Sequence, residues 1–235
     1  MLRLIAQRQV RRAPPLPRGL SIVELMVGVA VGLFVVAGAS FVAVNQLGDN
    51  RRLSLETQIQ QDLRAVADLV SRDLRRGGYW GQAQSGVWYD GGPAVATNPY
   101  SATEPGIVEP PVQEVDFSYS RDAAENGAVD ANEQFGFKLD GDHVIKARVG
   151  DVWQPLTDPN VLKVTAFDVT LALSTVRLAC FKECAGGGTA CWPEQDVRRF
   201  TVNIVGEAAF DPNVKRSVSS SVRLRNDAVR GACPA

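Results

Sequence analysis

Histidine is nearly absent from this chain of 235 residues, which contains only His143. A Ser-His-Asp or Cys-His catalytic set would need that one residue, and no G-x-S-x-G sequence accompanies it. The glycine run at 186–188 lacks the following lysine and helix of a phosphate-binding loop. We therefore expect that the protein is not an enzyme and that it binds no cofactor.

The body of the chain also lacks a block of basic residues. Of the 25 lysines and arginines, five lie in residues 1–19, so residues 20–235 hold 20 against 26 aspartates and glutamates, a formal net charge of −6. Nucleic-acid binding needs a clustered basic face. The composition therefore does not indicate a nucleic-acid partner. The five early arginines instead precede an apolar segment, where a membrane topology signal would lie.

That apolar segment covers residues 25–44, which contain no charged side chain. Twenty helical residues span about 30 Å, the thickness of one bilayer core. Five arginines precede the segment and only two, Arg51 and Arg52, follow soon after it, which predicts a cytoplasmic N-terminus and an extracytoplasmic body. A cleaved secretory signal has an apolar core of about 7–15 residues. This run is longer, so a plain N-terminal anchor is the stronger alternative.

One carboxylate, Glu24, lies at the edge of the apolar segment, in the sequence RGLSIVELMVG at 18–28. An acidic side chain in hydrocarbon costs about 2.5–3.5 kcal/mol on insertion scales, so it needs a partner or a function. Residues 28–32 also contain a G-x-x-x-G pattern, Gly28 and Gly32, which permits close packing between helices.

The motif around Glu24 resembles the type IV prepilin processing site, which consists of a glycine, a hydrophobic residue, Ser or Thr, two aliphatic residues, Glu and Leu. The resemblance implies that prepilin peptidase cuts after Gly19 and that the new N-terminus, Leu20, is methylated. Most family members have Phe at this position. It also implies that Glu24, the fifth residue of the mature chain, pairs with an α-ammonium group, either that of a neighbouring subunit or its own.

A second helical pattern follows a possible kink at residues 48–50. Its apolar positions recur every three or four residues and predict one buried face of an amphipathic helix that ends at Gly77 and Gly78; they are Leu55, Ile59, Leu63, Val66, Val70 and Leu74. The arginines at 72, 75 and 76 complement the helix dipole, and we interpret them as a solvated helix end. We expect residues 79–114 to form a long connecting region. We expect its aromatic side chains to cover an edge of the core rather than to bind a glycan.

Alternating apolar residues predict strands around 115–119, 135–139, 145–149, 167–173, 200–204 and 218–224. Asp140 and Gly141 predict a tight two-residue turn between the second and third of these. We expect one antiparallel sheet packed on the amphipathic half of the helix, which makes the fold class α+β.

Four cysteines, at 180, 184, 191 and 233, match no common zinc spacing, and an extracytoplasmic location favours disulfides. Three pairings are possible. We favour Cys184 with Cys191 and Cys180 with Cys233. The run at 122–136 includes the oxygen-bearing side chains of Asp122, Glu125, Asp130, Asn132 and Glu133, but it does not match an EF-hand. We expect a solvated polar loop there and no metal site.

The sequences SRDLRRGGYWG at 71–81 and SVRLRN at 221–226 resemble parts of PilW-type minor pilins and the related GspJ-type minor pseudopilins. The resemblance implies a pilin-like fold with a leader at 1–19, a membrane-spanning and polymerising half-helix at 20–44, an amphipathic half-helix at 45–78 and a sheet domain at 79–235.

The implied function is that of a minor pilin in the type IV pilus, acting in pilus assembly near the tip. The implied partners are other minor pilins, the major pilin, prepilin peptidase and the inner-membrane assembly platform. The precursor would cross the inner membrane once, with the N-terminus inside, before assembly into the extracellular pilus. The alternatives are a type II secretion pseudopilin and an anchored extracytoplasmic ligand-binding domain that does not polymerise.

Overall fold

The computed structural model describes residues 19, 21–89, 92–108 and 110–234. The chain divides into two compact units, Met1–Asn50 and Arg51–Ala235. A single helix, α1 (Ile22–Leu74), contributes residues to both. It continues through residues 48–50, so the possible kink is not a break in the helix.

The helix ends a few residues before the predicted glycines. The amide of Arg76 donates to the carbonyl of Asp73 at 2.9 Å, a tightened final turn in place of the α-helical pattern. Gly78 follows with φ of 76°, a left-handed conformation that glycine adopts without steric cost and that commonly terminates helices. The predicted stop signal is therefore confirmed, with the ordered helix ending at Leu74.

The second half of α1 buries the face that the sequence predicts. Five of the predicted positions and Ala67 are buried, and Leu55 packs partly buried against the same core; the buried residues are Ile59, Leu63, Val66, Ala67, Val70 and Leu74. Gly206 on a facing strand leaves room for this packing. An added Cβ there would lie 2.5 Å from Leu162 Cδ1 and 3.3 Å from Leu63 Cδ2.

The strands form two antiparallel sheets, so the expectation of one sheet is wrong. The first sheet has the order β1-β2-β3-β4-β5; its strands are β1 (Thr103–Glu104), β2 (Glu114–Ser118), β3 (Gln134–Leu139), β4 (Ile145–Val149) and β5 (Val152–Pro155). Alternation in the sequence shows which face of a strand is buried but not which strands pair, and this explains the error.

The second sheet has β7 between β6 and β8, with β9 pairing the opening residues of β7. Its strands are β6 (Leu162–Arg177), β7 (Glu194–Ala208), β8 (Asp211–Arg223) and β9 (Ala228–Arg230). An isolated bridge between Val112 and Val169 connects the segment before β2 to β6. The buried faces of both sheets and the second half of α1 share one hydrophobic core.

The hairpin between β3 and β4 exists, but its turn differs from the prediction. Leu139 pairs with Ile145, and the amide of Asp140 donates to the carbonyl of Val144 at 2.9 Å. Three residues remain in the loop, the last of which is His143 with φ of 62°. A three-residue loop that ends in a left-handed residue is a common hairpin connection. His143 therefore lies in the turn rather than in a strand.

Candidate functional site at the N-terminal helix

The processing motif lies where the helix begins. Gly19 is exposed and outside regular secondary structure, and α1 starts at Ile22. Leu20, the predicted new N-terminus, lies outside the described residues. The carbonyl of Ser21 accepts the amide of Leu25 at 3.1 Å, which closes the first helical turn. Gly19 thus lies in exposed, non-helical chain directly before the helix, as a peptidase substrate requires.

Glu24 occupies the first turn of α1 and is exposed. A carboxylate at this end interacts favourably with the helix dipole. None of the described residues forms a salt bridge with Glu24. Cleavage after Gly19 would place an α-ammonium group four residues before it, close to the apolar segment.

The first half of α1 has an unusually apolar surface. Large hydrophobic side chains from Ile22 to Leu47 remain exposed, including Phe34 at 83% and Phe41 at 71%. Soluble monomers rarely expose an apolar surface of this extent. The helix is long and apolar enough to cross a membrane. This surface needs lipid or neighbouring helices to cover it.

The two glycines of the G-x-x-x-G pattern lie on this surface. An added Cβ at Gly28 or Gly32 would meet no atom within 4 Å. Neither glycine is therefore required by packing against the described part of the same chain. Their role in contact between helices stays a prediction.

Both disulfides have the pairing that the sequence analysis favours. Cys180 bonds Cys233, with their Cα atoms 5.6 Å apart, and Cys184 bonds Cys191, with Cα atoms 5.8 Å apart. The first bond connects the segment after β6 to the segment after β9. The second closes a short loop between β6 and β7.

The acidic run at 122–136 is not simply a solvated loop. Glu133 is fully buried and accepts hydrogen bonds from the amides of Arg121 (2.7 Å) and Asp130 (2.9 Å). The hydroxyl of buried Tyr100 lies 2.9 Å from Glu133 Oε2 and 3.0 Å from Glu125 Oε1. Burial opposes ionisation of Glu133, but the amides and Tyr100 outweigh it and lower its pKa below the ordinary 4.5. Burial is the largest cause that raises the pKa of Tyr100, and the hydrogen bond to Glu133 is the next.

Glu133→Gln tests this network. Because the pKa of Glu133 is lower in the folded protein, its contribution to stability is present above about pH 4.5 and is lost as the pH falls through the folded pKa. At pH 7 we expect the variant to lose about 2 kcal/mol, since hydrogen bonds to a charged group are replaced by weaker ones. Urea unfolding followed at several pH values measures the difference, which should shrink below pH 4.5. A difference that does not change with pH would contradict the ionic role of Glu133.

The structure also assembles a basic surface that sequence analysis does not predict. Two open cavities of about 650 and 500 Å³ share Arg225. Six arginines line them, and Asp73 is the one carboxylate among the lining residues. We call this surface the arginine groove. It consists of Tyr79 and six arginines, which are Arg75, Arg76, Arg121, Arg199, Arg223 and Arg225. Its arginines come from β7, β8 and the segments that follow α1, β2 and β8, so no linear window of the sequence shows it. The arginines within residues 71–81 and 221–226 are the part of the groove that the sequence makes visible.

A basic N-terminal sequence, an exposed Gly19, an apolar half-helix and an amphipathic half-helix packed on antiparallel sheets together form a pilin-like arrangement. The family model of prepilin peptidase-dependent protein B (PpdB) matches residues 52–224, so the chain belongs to this family. No curated protein and no solved structure matches the chain significantly.

The family match and the processing motif are independent observations, because the match begins at residue 52, after the motif. Both indicate processing by prepilin peptidase. The protein is therefore a prepilin peptidase-dependent, pilin- or pseudopilin-like protein, and the peptidase is one of its partners. The apolar helix is compatible with a membrane-anchored precursor.

Proposed function

We propose that the protein is a PilW-like minor pilin, cut after Gly19, methylated at Leu20 and incorporated into the type IV pilus near its tip. The observation that carries this proposal is the exposed apolar surface of α1, which begins just after the exposed Gly19 of the processing motif. A surface of this kind suits a helix that is held in the membrane first and is packed among other helices later. The PpdB family match supports the dependence on processing.

In this mechanism the cut creates a new partner for Glu24, which forms no salt bridge with the residues that the structure describes. A free α-ammonium group at Leu20 lies at the edge of the apolar helix, and a charge pair in a low dielectric attracts more strongly than one in water. Glu24 of an entering subunit then pairs with the amine of its neighbour, which sets the axial position of the subunit. Gly28 and Gly32 allow the two helices to approach closely.

The proposal also specifies partners and location. The precursor is a single-pass inner-membrane protein with its N-terminus inside, and its disulfide-bonded unit folds outside the cytoplasm. Other minor pilins, the major pilin and the assembly platform are its partners besides the peptidase. It acts by assembly and not as an enzyme.

A GspJ-like minor pseudopilin of type II secretion is the second candidate, because the same motif and helix serve both assemblies. Recovery with sheared surface pili favours the pilin. Loss of protein secretion with normal pili in a deletion strain favours the pseudopilin. An anchored domain that never polymerises would be found in neither assembly.

Intact-mass measurement of the protein made with and without prepilin peptidase tests the proposal. With the peptidase, we expect the mass of residues 20–235 plus one methyl group. Without it, the basic leader should remain. Gly19→Leu should block the cut, whereas Gly28→Ala, a change at another exposed glycine, should be processed normally. Retention of the leader in the presence of the peptidase, or a cut at another bond, would show that the proposal is wrong.

A further inference from the structure

The arginine groove concentrates positive charge on a chain whose residues 20–235 are net acidic. Arg76 and Arg223 have carboxylate partners, at 3.8 Å from Asp73 and 2.6 Å from Asp227. The other four, Arg75, Arg121, Arg199 and Arg225, form no salt bridge within the described ranges of the chain. Of these four, Arg121 donates through Nη1 to the carbonyl of Asn132 at 3.4 Å. All six side chains are exposed. The groove therefore offers to solvent several guanidinium groups that have no carboxylate partner in the described ranges.

This concentration of charge works against folding. Arg199 and Arg223 are direct partners across β7 and β8, a position where like charges are destabilising. The amide of Arg225 donates to the carbonyl of Arg75 at 3.2 Å, which brings the end of β8 next to the end of α1 and adds two more arginines to the same surface. An anionic ligand would relieve this repulsion.

Aromatic rings hold two of the arginines in place. Tyr119 and Phe135 stack with ring centroids 4.0 Å apart and an interplanar angle of 5°. The guanidinium of Arg76 lies 5.2 Å from the Tyr119 ring centroid, and that of Arg121 lies 5.9 Å from the Phe135 centroid. These cation–π contacts restrict both guanidinium groups before any ligand arrives.

The side chain of Tyr79 lines the same cavity and is 52% exposed. Its backbone is fixed, because its amide donates to the carbonyl of Arg76 at 3.0 Å and its carbonyl accepts from Ser120 at 2.9 Å. An exposed ring on a fixed backbone, between arginines, offers a face on which a planar group can stack.

We propose that the arginine groove binds single-stranded nucleic acid, with the guanidinium groups on phosphates and Tyr79 stacked on a base. Every cation in the groove is an arginine, the side chain whose planar fork matches phosphate geometry. An acidic peptide would satisfy the charges but would not need the exposed ring. The net charge of the chain does not exclude this ligand, because phosphates respond to the local arrangement of charge. The proposal does not depend on whether the protein polymerises.

The test uses the full-length protein in a neutral detergent and a fluorescein-labelled oligothymidylate of about 20 nucleotides, long enough to fill a typical single-strand site. Fluorescence anisotropy measures the affinity. With about four phosphate contacts, affinity should fall about 50-fold between 50 and 200 mM salt. No measurable binding at 50 mM salt would overturn the proposal.

Two variants separate the groove from general charge. Arg75→Gln/Arg199→Gln/Arg225→Gln should weaken binding by about 100-fold at low salt and reduce the salt slope by about 2. The control Arg51→Gln/Arg64→Gln/Lys163→Gln removes the same charge from exposed positions outside the groove and should change affinity less than about threefold. Thermal melting checks that both variants remain folded. Equal weakening by the two variants would overturn the proposal.

Tyr79→Ala separates nucleic acid from other polyanions. Loss of stacking should weaken oligothymidylate binding about 10-fold, and Tyr79→Phe should restore it, because the ring and not the hydroxyl stacks. Heparin, which has no bases, should bind the wild-type protein and the Tyr79→Ala variant equally. If Tyr79→Ala does not change oligothymidylate binding, or if polyglutamate of equal charge competes as well as the oligonucleotide, the groove is a site for another anionic class and the proposal is wrong.

Discussion

Glu24→Val should leave cleavage after Gly19 intact and reduce incorporation into filaments at least about tenfold. The proposed cut follows the exposed Gly19, before the helix, whereas Glu24 lies in the first turn of α1. Valine fits the apolar segment, so membrane insertion should not suffer. The variant loses a charge pair in a low dielectric. If this pair contributes about 1.4 kcal/mol or more to assembly, its loss reduces incorporation at least about tenfold. The measurement is the ratio of processed protein in sheared filaments to that in membranes.

Two further variants make this result specific. Glu24→Asp keeps the charge on a shorter side chain and should recover part of the incorporation. Asp49→Val removes an exposed carboxylate from the same helix outside the motif and should be incorporated normally. Normal incorporation of Glu24→Val would rule out the pairing between subunits and leave Glu24 with a role inside its own chain.

Loss of the Cys180–Cys233 bond should cost the sheet domain more stability than loss of the Cys184–Cys191 bond. The two cysteines are 53 residues apart in sequence, and closing a loop of that length in the unfolded chain corresponds to about 4 kcal/mol in the chain-entropy model. The bond also connects the end of the chain that carries β9, which pairs with β7. Cys180→Ser/Cys233→Ser should therefore lower the urea midpoint strongly.

The second disulfide provides a matched control. Cys184 and Cys191 are only seven residues apart, for which the same relation gives about 2.5 kcal/mol. Cys184→Ser/Cys191→Ser also removes two cysteines and one bond. Urea unfolding of both double variants under non-reducing conditions should rank them in that order. Equal losses, or the reverse order, would show that local strain or contacts outweigh loop closure.

Local patterns in the sequence predict the helix and six of the nine described strands well. Ile59, Leu63 and Val70 recur at helical spacing because one face of α1 is buried. Burial of one helix face produces a periodic apolar pattern that can be recognised along the chain. β1, β5 and β9 are short strands that bury little apolar surface, so alternation does not indicate them. Strand pairing depends on contacts between distant residues, and for this reason the division into two sheets was not predicted.

The candidate sites also differ in whether their residues lie close together in the sequence. Gly19 and Glu24 are separated by five positions, so one window of sequence contains the whole motif. The arginine groove and the Glu133 network each need residues from distant segments. Tyr100 lies 33 positions before Glu133, and Arg121 is 78 positions before Arg199. Only the fold brings them together.

The connection of Cys180 to Cys233 also has a consequence for the order of events during export. β7 is the central strand of the second sheet, and both β8 and β9 follow it in the chain. Under the proposed orientation, the sulfur of Cys180 reaches the oxidising compartment well before its partner does. The correct bond therefore forms only after residue 233 has crossed. Until then, Cys184 and Cys191 are the cysteines within its reach, and a bond formed with either of them would have to be exchanged before Cys233 could pair.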